Sequence, residues 1–426
     1  MKYRKIIGTL LVTLSISFFT PMFSREASAQ AVEPSIEAQY AIALDAETGE
    51  IIYAKNADEK AYPASTTKLL TALLLAENSQ KEDSIPFTET ALSQPAYSFY
   101  DSYGPIPLGT TMSADNVMKA LLLYSGNDVA YMVADYAAED SESFVEMMND
   151  KVKDWGLENT HFTNPNGLHN AEHYTTAYDL AIITQKAYEN SWVREVMGLA
   201  EARVTTSNNV IVDLENRNKN ITLEECVGGK TGYTSQAGKC LAAVYEENGR
   251  TIIGVVMKSI YDAEDTQVFK DMNAVMDYSF NAEKEVYKAA GTELGTVDVS
   301  YKLFKFFGPE KTVTVPLTLS EDIEVYPNTI NEAEFSGDVQ LSEKDAWKLA
   351  SNNEAGTYNV TDRLYTSNYS VTAGIKTSDL VKANMTIYVI SVVAIILAVV
   401  LIILIAKIAS KAPRRKKRYK RNRRRY

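Results

Sequence analysis

The sequence predicts an α+β chain: an antiparallel sheet with packed helices and a helical insertion, followed by a small β domain and a C-terminal transmembrane helix. Three observations lead there. Strand patterns from Tyr40, and again beyond residue 225, bracket a stretch of helical periodicity. Segments beyond residue 288 alternate short β-rich runs with turn residues, and residues 385–406 contain no charged side chain. With 426 residues and 46% hydrophobic content, the chain can bury more than one core.

Taken in order, residues 1–29 have the layout of a secretory signal peptide. Lys2, Arg4 and Lys5 precede an apolar run to Phe23, and small residues at Ala27, Ser28 and Ala29 follow. An uncleaved N-terminal anchor is the alternative; in both cases the body of the protein leaves the cytoplasm. From Tyr40, apolar alternation on both sides of Asp-Ala-Glu-Thr-Gly predicts strand, turn and strand. Residues 65–77 (STTKLLTALLLAE) lack Gly and Pro and are too apolar for an exposed surface, which predicts a helix through the core. Further helices are expected at 114–123, 128–137, 141–155 and 176–188. Strands follow at 225–233, 239–246 and 251–258, then a helix at 266–280. These elements make up a catalytic domain at 36–288. Runs at 296–301, 312–317 and 323–326 predict a separate small β domain at 291–375, which serves as a spacer.

The uncharged run 385–406 spans ~33 Å as a helix, close to the hydrocarbon thickness of a bilayer, and shows no polar face. Twelve Lys and Arg residues, and no acid, lie between Lys407 and Arg425. That one-sided charge predicts a cytoplasmic tail at 407–426 with the folded domains outside. The formal net charge of −12 therefore conceals a polarity. Setting aside the tail's twelve positive charges and the net three of the signal leaves an ectodomain of about −27. Such a surface excludes nucleic-acid binding there, while the basic tail suits anionic lipid.

The chain has two cysteines, Cys226 and Cys240, so no disulfide framework holds it. A hairpin turn centred near Ser235 would place Cys226 opposite a residue near 244, so both thiols are expected to be free.

Three short motifs stand in order: Ser65-Thr66-Thr67-Lys68, Ser125-Gly126-Asn127 and Lys230-Thr231-Gly232. On a helix, i and i+3 share a face, so the Lys68 amine sits beside the Ser65 hydroxyl. A neutral lysine can take the serine proton. An apolar helix and a second cation, Lys230, would lower the Lys68 pKa by desolvation and like-charge repulsion. Ser65 at a helix N-terminus also meets the positive end of the dipole. Ser125 is expected to relay a proton to the leaving amine, and Asn127 to hydrogen-bond the substrate peptide. Asn127 has a second available role as cap of a helix starting at Asp128. Lys230 and Thr231 suit a substrate that ends in a carboxylate, with Gly232 admitting its backbone closely. The backbone N–H groups of Ser65 and Tyr233 are candidates for an oxyanion hole.

With these motifs on the page, the chain resembles the low-molecular-mass penicillin-binding proteins, serine-type D-alanyl-D-alanine carboxypeptidases with a β-lactamase/penicillin-binding-like fold. The likeness extends through YPASTTKLLTALL, LLLYSGNDVAYMVADYAAED, GLENTHFTNPNGLH, HYTTAYDLA and GGKTGYTSQAGKCLAAV, roughly residues 37–281, and more weakly through the β domain. The resemblance implies acylation of Ser65 by a peptidoglycan stem ending in D-Ala-D-Ala, release of D-alanine, hydrolysis of the acyl-enzyme, and covalent inhibition by β-lactams. It implies no cofactor. The sequence departs from the pattern by ending in a span with a basic tail, where many members carry an amphipathic helix.

Other chemistries find less support. His161, His169 and His173 cluster, but no H-E-x-x-H motif or cysteine ligand accompanies them, so no metal site is expected. The loop Asn164-Pro165-Asn166-Gly167 is expected to shape one edge of the cleft, with Asp179 supporting it or starting a helix. A β-lactamase would need a water-activating glutamate between the second and third motifs; the one acid in residues 160–173 is Glu172, outside the N-P-N-G turn. A non-catalytic membrane sensor of penicillin or peptidoglycan is the third reading.

Overall fold

The computed structural model describes residues 33–95, 97–138 and 140–411. The expected signal peptide and residues 412–426 of the tail lie outside the described residues.

The first folded unit is built on a five-stranded antiparallel sheet. Its order is Ile51–Lys55, Tyr40–Asp45, Arg250–Ser259, Gly238–Glu247, Cys226–Thr234. The first two strands pair with the last three across about 200 residues of sequence, as in the register Ala43↔Gly254. Helix Gln267–Asn281 covers one face, with Met272 and Met276 packed over Gly254. Helices Lys68–Asn78 and Ala177–Glu189 cover the other. Strand alternation explains the division: Leu241, Ala243 and Tyr245 point to the first face, Cys240, Ala242 and Val244 to the second. The intervening region is the expected helical insertion.

Several elements differ from expectation for identifiable reasons. The run through the nucleophile opens as a 3₁₀ turn, Ala64–Thr67, before the α-helix Lys68–Asn78. The expected helix 114–123 is α only over Ala114–Lys119 and continues as a π turn, Ala120–Tyr124. The wider turn brings the N–H groups of both Ser125 and Gly126 onto the Ala120 carbonyl, at 3.0 and 3.3 Å. Helix Ser191–Met197 and the hairpin Glu201–Thr205/Ile211–Glu215 were absent from the sequence reading.

The second unit is a five-stranded antiparallel sheet in the order Glu293–Lys302, Glu310–Leu319, Tyr365–Ala373, Glu354–Asp362, Ser336–Leu341, with its own apolar core. The last three strands and the short helices Thr329–Glu334 and Ala346–Asn352 also escaped the sequence reading. A polar joint fastens this unit to the first. Arg363 donates to both oxygens of Asp58 at 2.8 and 2.9 Å, bonds Glu334, and lies over the Tyr178 ring. Tyr365 donates to Gln185 at 2.6 Å, and the Tyr326 N–H is bonded by Glu50. Helix Thr377–Lys411 follows and is long and apolar enough to cross a membrane. From Met385 its large apolar side chains lie bare.

The two thiols are free and buried. Cys226 pairs across with Tyr245, and Cys240 with Gly232, so the hairpin register keeps them apart.

Candidate active site

The three motifs, far apart in sequence, converge at one end of the sheet. Ala64, just before the nucleophile, has a left-handed φ of +48°. This kink sets Ser65 at the head of the turn that leads into the apolar helix. The Lys68 amine, one helical turn on and fully buried, lies 3.0 Å from Ser65 Oγ, 3.0 Å from Asn127 Oδ1 and 2.7 Å from the Asn166 carbonyl. The last two partners can only accept, so they take two amine hydrogens. A neutral amine then keeps its lone pair for the serine proton. Burial first, then the Arg217 guanidinium, bring the Lys68 pKa down to about 7, with Asp128 opposing.

The loop Asn164–Gly167 therefore does more than edge the cleft, since its backbone binds the base. It is locked in place from several sides. Thr71 Oγ1 donates to the Pro165 carbonyl at 2.7 Å, and Gly167, at φ +83°, lies where a Cβ would come within 1.9 Å of the Ala64 carbonyl oxygen. His173 fixes the same turn. Its Nδ1 accepts from the Thr163 N–H at 3.1 Å, so its Nε2–H donates to Thr67 Oγ1 at 2.9 Å. Burial, then His161, His169 and Lys68, lower its pKa to about 3, so the ring is neutral at physiological pH. Asp179 accepts from Thr160 at 2.7 Å and supports the base of the loop.

Ser125 adopts a left-handed conformation, φ +76°, uncommon for a residue with a side chain. Its hydroxyl is buried with no hydrogen-bond partner among the described residues. Leaving such a group unpaired costs about 1–3 kcal/mol, which a substrate atom at that position would offset. Asn127 is the first residue of helix Asn127–Ala137, with Gly126 as its cap, and its carbonyl oxygen is bound to Lys68. The capping role is thus excluded.

The third motif lies on the edge strand Cys226–Thr234. Gly232 is required because a Cβ there would come within 2.9 Å of the Pro63 carbonyl oxygen and 3.0 Å of the Ser65 nitrogen. The nucleophile turn itself needs this glycine. Lys230 is 1% exposed, with its amine 3.0 Å from the Thr231 carbonyl oxygen. Burial, then Lys68 and Arg217, hold its pKa well below the usual lysine range. Tyr233 is exposed, its ring 5.0 Å from that of Tyr261.

A serine with its base on one helical turn, a second serine on a strained loop, and a Lys-Thr-Gly edge strand form an acyl-transfer site. Comparison with known proteins decides the family. Residues 26–260 match the D-alanyl-D-alanine carboxypeptidase family. A carboxypeptidase of that name from Bacillus subtilis, DacF, is 31% identical over 281 residues, covering 65% of this chain and 71% of the relative. This chain belongs to the D-alanyl-D-alanine carboxypeptidase family.

Its other relatives agree. A D-alanyl-D-alanine carboxypeptidase from Streptomyces strain K15 is 29% identical over 287 residues, covering 64% of this chain and 98% of the relative. Among solved structures, a mutant Streptomyces K15 DD-transpeptidase aligns with a TM-score of 0.52 and 27% identity, over 58% of this chain and 99% of that one. The D-alanyl-D-alanine carboxypeptidase DacD of Francisella tularensis, at 20% identity and a TM-score of 0.58, shares the fold over 81% of this chain and 95% of its own. The penicillin-binding/β-lactamase-like α+β fold expected from sequence is thereby established, and so is the serine-hydrolase class.

Within this carboxypeptidase, sequence reasoning missed two charged groups. Arg217 is exposed at the mouth of the cleft, its guanidinium 4.9 Å from the Tyr124 ring and 5.8 Å from that of Tyr97. Arg217 joins burial in lowering Lys68, while the expected repulsion between Lys68 and Lys230 falls on Lys230. Asp128 is fully buried and accepts from the N–H groups of Phe99 and Tyr100 at 2.7 and 2.9 Å, tying the loop before Tyr103 to the second motif. Neither carries a motif signal; both work through tertiary contact.

Proposed function

We propose that this serine carboxypeptidase removes the terminal D-alanine from peptidoglycan stem peptides ending in D-Ala-D-Ala, through an acyl-enzyme on Ser65. The observation that carries the mechanism is the Lys68 amine, held by two acceptors with its lone pair toward Ser65 Oγ. Lys68 takes the hydroxyl proton as Oγ attacks the penultimate D-alanyl carbonyl. The oxyanion is stabilised by the N–H groups of Ser65 and Tyr233. Ser125 passes a proton to the departing amine, Asn127 bonds the peptide while steadying Lys68, and D-alanine leaves. Water then cleaves the Ser65 ester, with Lys68 accepting the water's proton and returning it to Ser65 Oγ as the ester bond breaks. The substrate carboxylate meets Thr231, Lys230 and Arg217; its negative charge would offset the burial and like-charge repulsion that lower the Lys230 pKa, favouring the protonated amine.

β-Lactams acylate the same serine. Glu172, the one acid in residues 160–173, is exposed on the surface, so the adduct lacks the water-activating glutamate that a β-lactamase places there and hydrolyses slowly. The domain at 36–288 performs the chemistry, the β domain at 291–375 spaces it from the bilayer, and 385–406 crosses once with the tail 407–426 inside. An epitope placed after Tyr426 should survive external protease in intact cells; its loss without lysis would reject that topology.

The deciding experiment measures two rates on one preparation: D-alanine release from a D-Ala-D-Ala pentapeptide, and turnover of a chromogenic cephalosporin. D-alanine release with a stable cephalosporin adduct is expected. Repeated cephalosporin turnover without D-alanine release would install a β-lactamase instead. A stable adduct with no release from any stem peptide would leave a sensor.

A further inference from the structure

We propose that the hairpin tip at residues 303–309 is a second membrane contact, with Phe306 and Phe307 entering the outer leaflet beside the apolar helix and lysines at the headgroups. This rests on the reading of helix Thr377–Lys411 as a membrane span.

The tip joins strands Glu293–Lys302 and Glu310–Leu319 and reads Leu-Phe-Lys-Phe-Phe-Gly-Pro. Phe306, 78% exposed, is the barest large apolar side chain among the described residues, and Phe307 is 66% exposed. The tip is a built turn. Phe304 N–H bonds the Phe307 carbonyl at 3.1 Å, Leu303 N–H bonds the Pro309 carbonyl at 3.1 Å, and the Phe304 and Phe307 rings stack at 5.1 Å. Two adjacent aromatics held outward in water need a cover.

The helix fixes what that cover is. Its first turns are fastened to the same hairpin: Leu380 is buried in the β core, Asn384 donates to the Tyr301 hydroxyl at 2.9 Å and accepts from Lys311 at 2.6 Å. Tyr388 then donates to the Leu303 carbonyl at 2.6 Å, and its ring lies 5.5 Å from that of Phe304. Tyr388 is already inside the uncharged run 385–406. That run is ~33 Å long against a hydrocarbon core of about 30 Å, so the helix has little freedom to slide along the membrane normal. Tyr388 therefore sits at the outer interface, where amphipathic rings concentrate, and the tip bonded to it sits at the same depth.

Local charge agrees. Although the ectodomain is strongly acidic overall, Lys302, Lys305 and Lys311 flank the tip against the single acid Glu310. Aromatics interleaved with lysines suit an anionic interface. The two contacts together, span and tip, would hold the β unit and the joined catalytic unit at a set tilt above the bilayer.

The test uses the full chain in vesicles of phosphatidylethanolamine and phosphatidylglycerol. Phe306→Cys and, separately, Val399→Cys carry an environment-sensitive fluorophore; the native thiols are buried and remain unlabelled. Lipids bearing a spin label at a shallow or a deep acyl position supply the quencher. The label at 306 should lose most of its emission to the shallow quencher, and that at 399 to the deep one. Quenching at 399 but not at 306 would overturn the proposal while leaving the span intact, and would point to a protein cover. Quenching at neither would overturn the span and the tip contact together.

Discussion

The two folded units treat buried polar groups in opposite ways. In the first, Lys68, Asp128, Lys230 and His173 are all 2% exposed or less, and among the described residues no carboxylate bonds either lysine. In the second, the buried polar side chains among the described residues are Asn331, Asp362 and Asn384, and most charges are solvated or gathered at the joint. Burial without a counter-ion lowers an amine's pKa and makes it a base at neutral pH. In the second unit burial pushes the Asp362 carboxyl up to about 6 beside Arg363 at the joint, and no amine is buried among the described residues; the unit can position a site without performing its proton transfer. The difference teaches that the reactive end of the molecule is where the chain buries amines without a carboxylate bonded to them, and there left-handed backbone at Ala64 and Ser125 and an unbonded Ser125 hydroxyl lie beside them.

That contrast can be broken from either side. The largest effect should come from Ser65→Ala, which removes the acylated atom; labelling by a fluorescent penicillin should vanish, and label that survives would end the assignment. Next, Lys68→Ala should keep the fold by circular dichroism and slow acylation by about 10²–10⁴, the usual worth of a positioned general base. Asp128→Ala strips the acceptor from two buried N–H groups and should lower stability by about 2–4 kcal/mol in chemical denaturation, with loss of acylation in proportion. In the second unit, Arg363→Ala should cost only about 1–2 kcal/mol, because Asp58 and Glu334 remain partly solvated, and should leave kcat on a soluble peptide unchanged. A tenfold loss of kcat there would show that the joint takes part in the chemistry. The last effect, read as a slope against pH and small near neutrality, concerns His173. Its folded pKa, near 3, lies below the ordinary 6.5, so the unfolded chain binds the proton first as pH falls. Stability present above pH 6.5 should therefore drain away toward pH 3, by at most about 1.4 kcal/mol per pH unit. His173→Gln should flatten that slope in a melting series.

The same contrast explains what was legible beforehand. Ser65 and Lys68 are three residues apart along one helical run, a 3₁₀ turn leading into the α-helix, so their meeting follows from helical spacing. The edge strand bearing Lys230 to Tyr233 is also visible, because its turn and alternation are local. By contrast, the third partner of Lys68 is the Asn166 carbonyl, a backbone atom with no sequence signature. Arg217 and Asp128 act through partners that chain reversal brings near. Ser125's left-handed backbone depends on a π turn that side-chain periodicity reads as ordinary helix. In the β unit, strand Ser336–Leu341 is exposed or half-buried along its whole length, so the inside–outside alternation that marks a strand is missing.

The central claim is that a neutral Lys68 takes the Ser65 proton. The most direct measurement is the acylation rate constant for a fluorescent penicillin, followed by stopped flow from pH 5.5 to 9 on the intact chain. The account predicts a rise governed by one ionisation near the Lys68 pKa of about 7, levelling above it, with the inflection absent in Lys68→Ala. A rate independent of pH across that window, or the same inflection retained without Lys68, would contradict it.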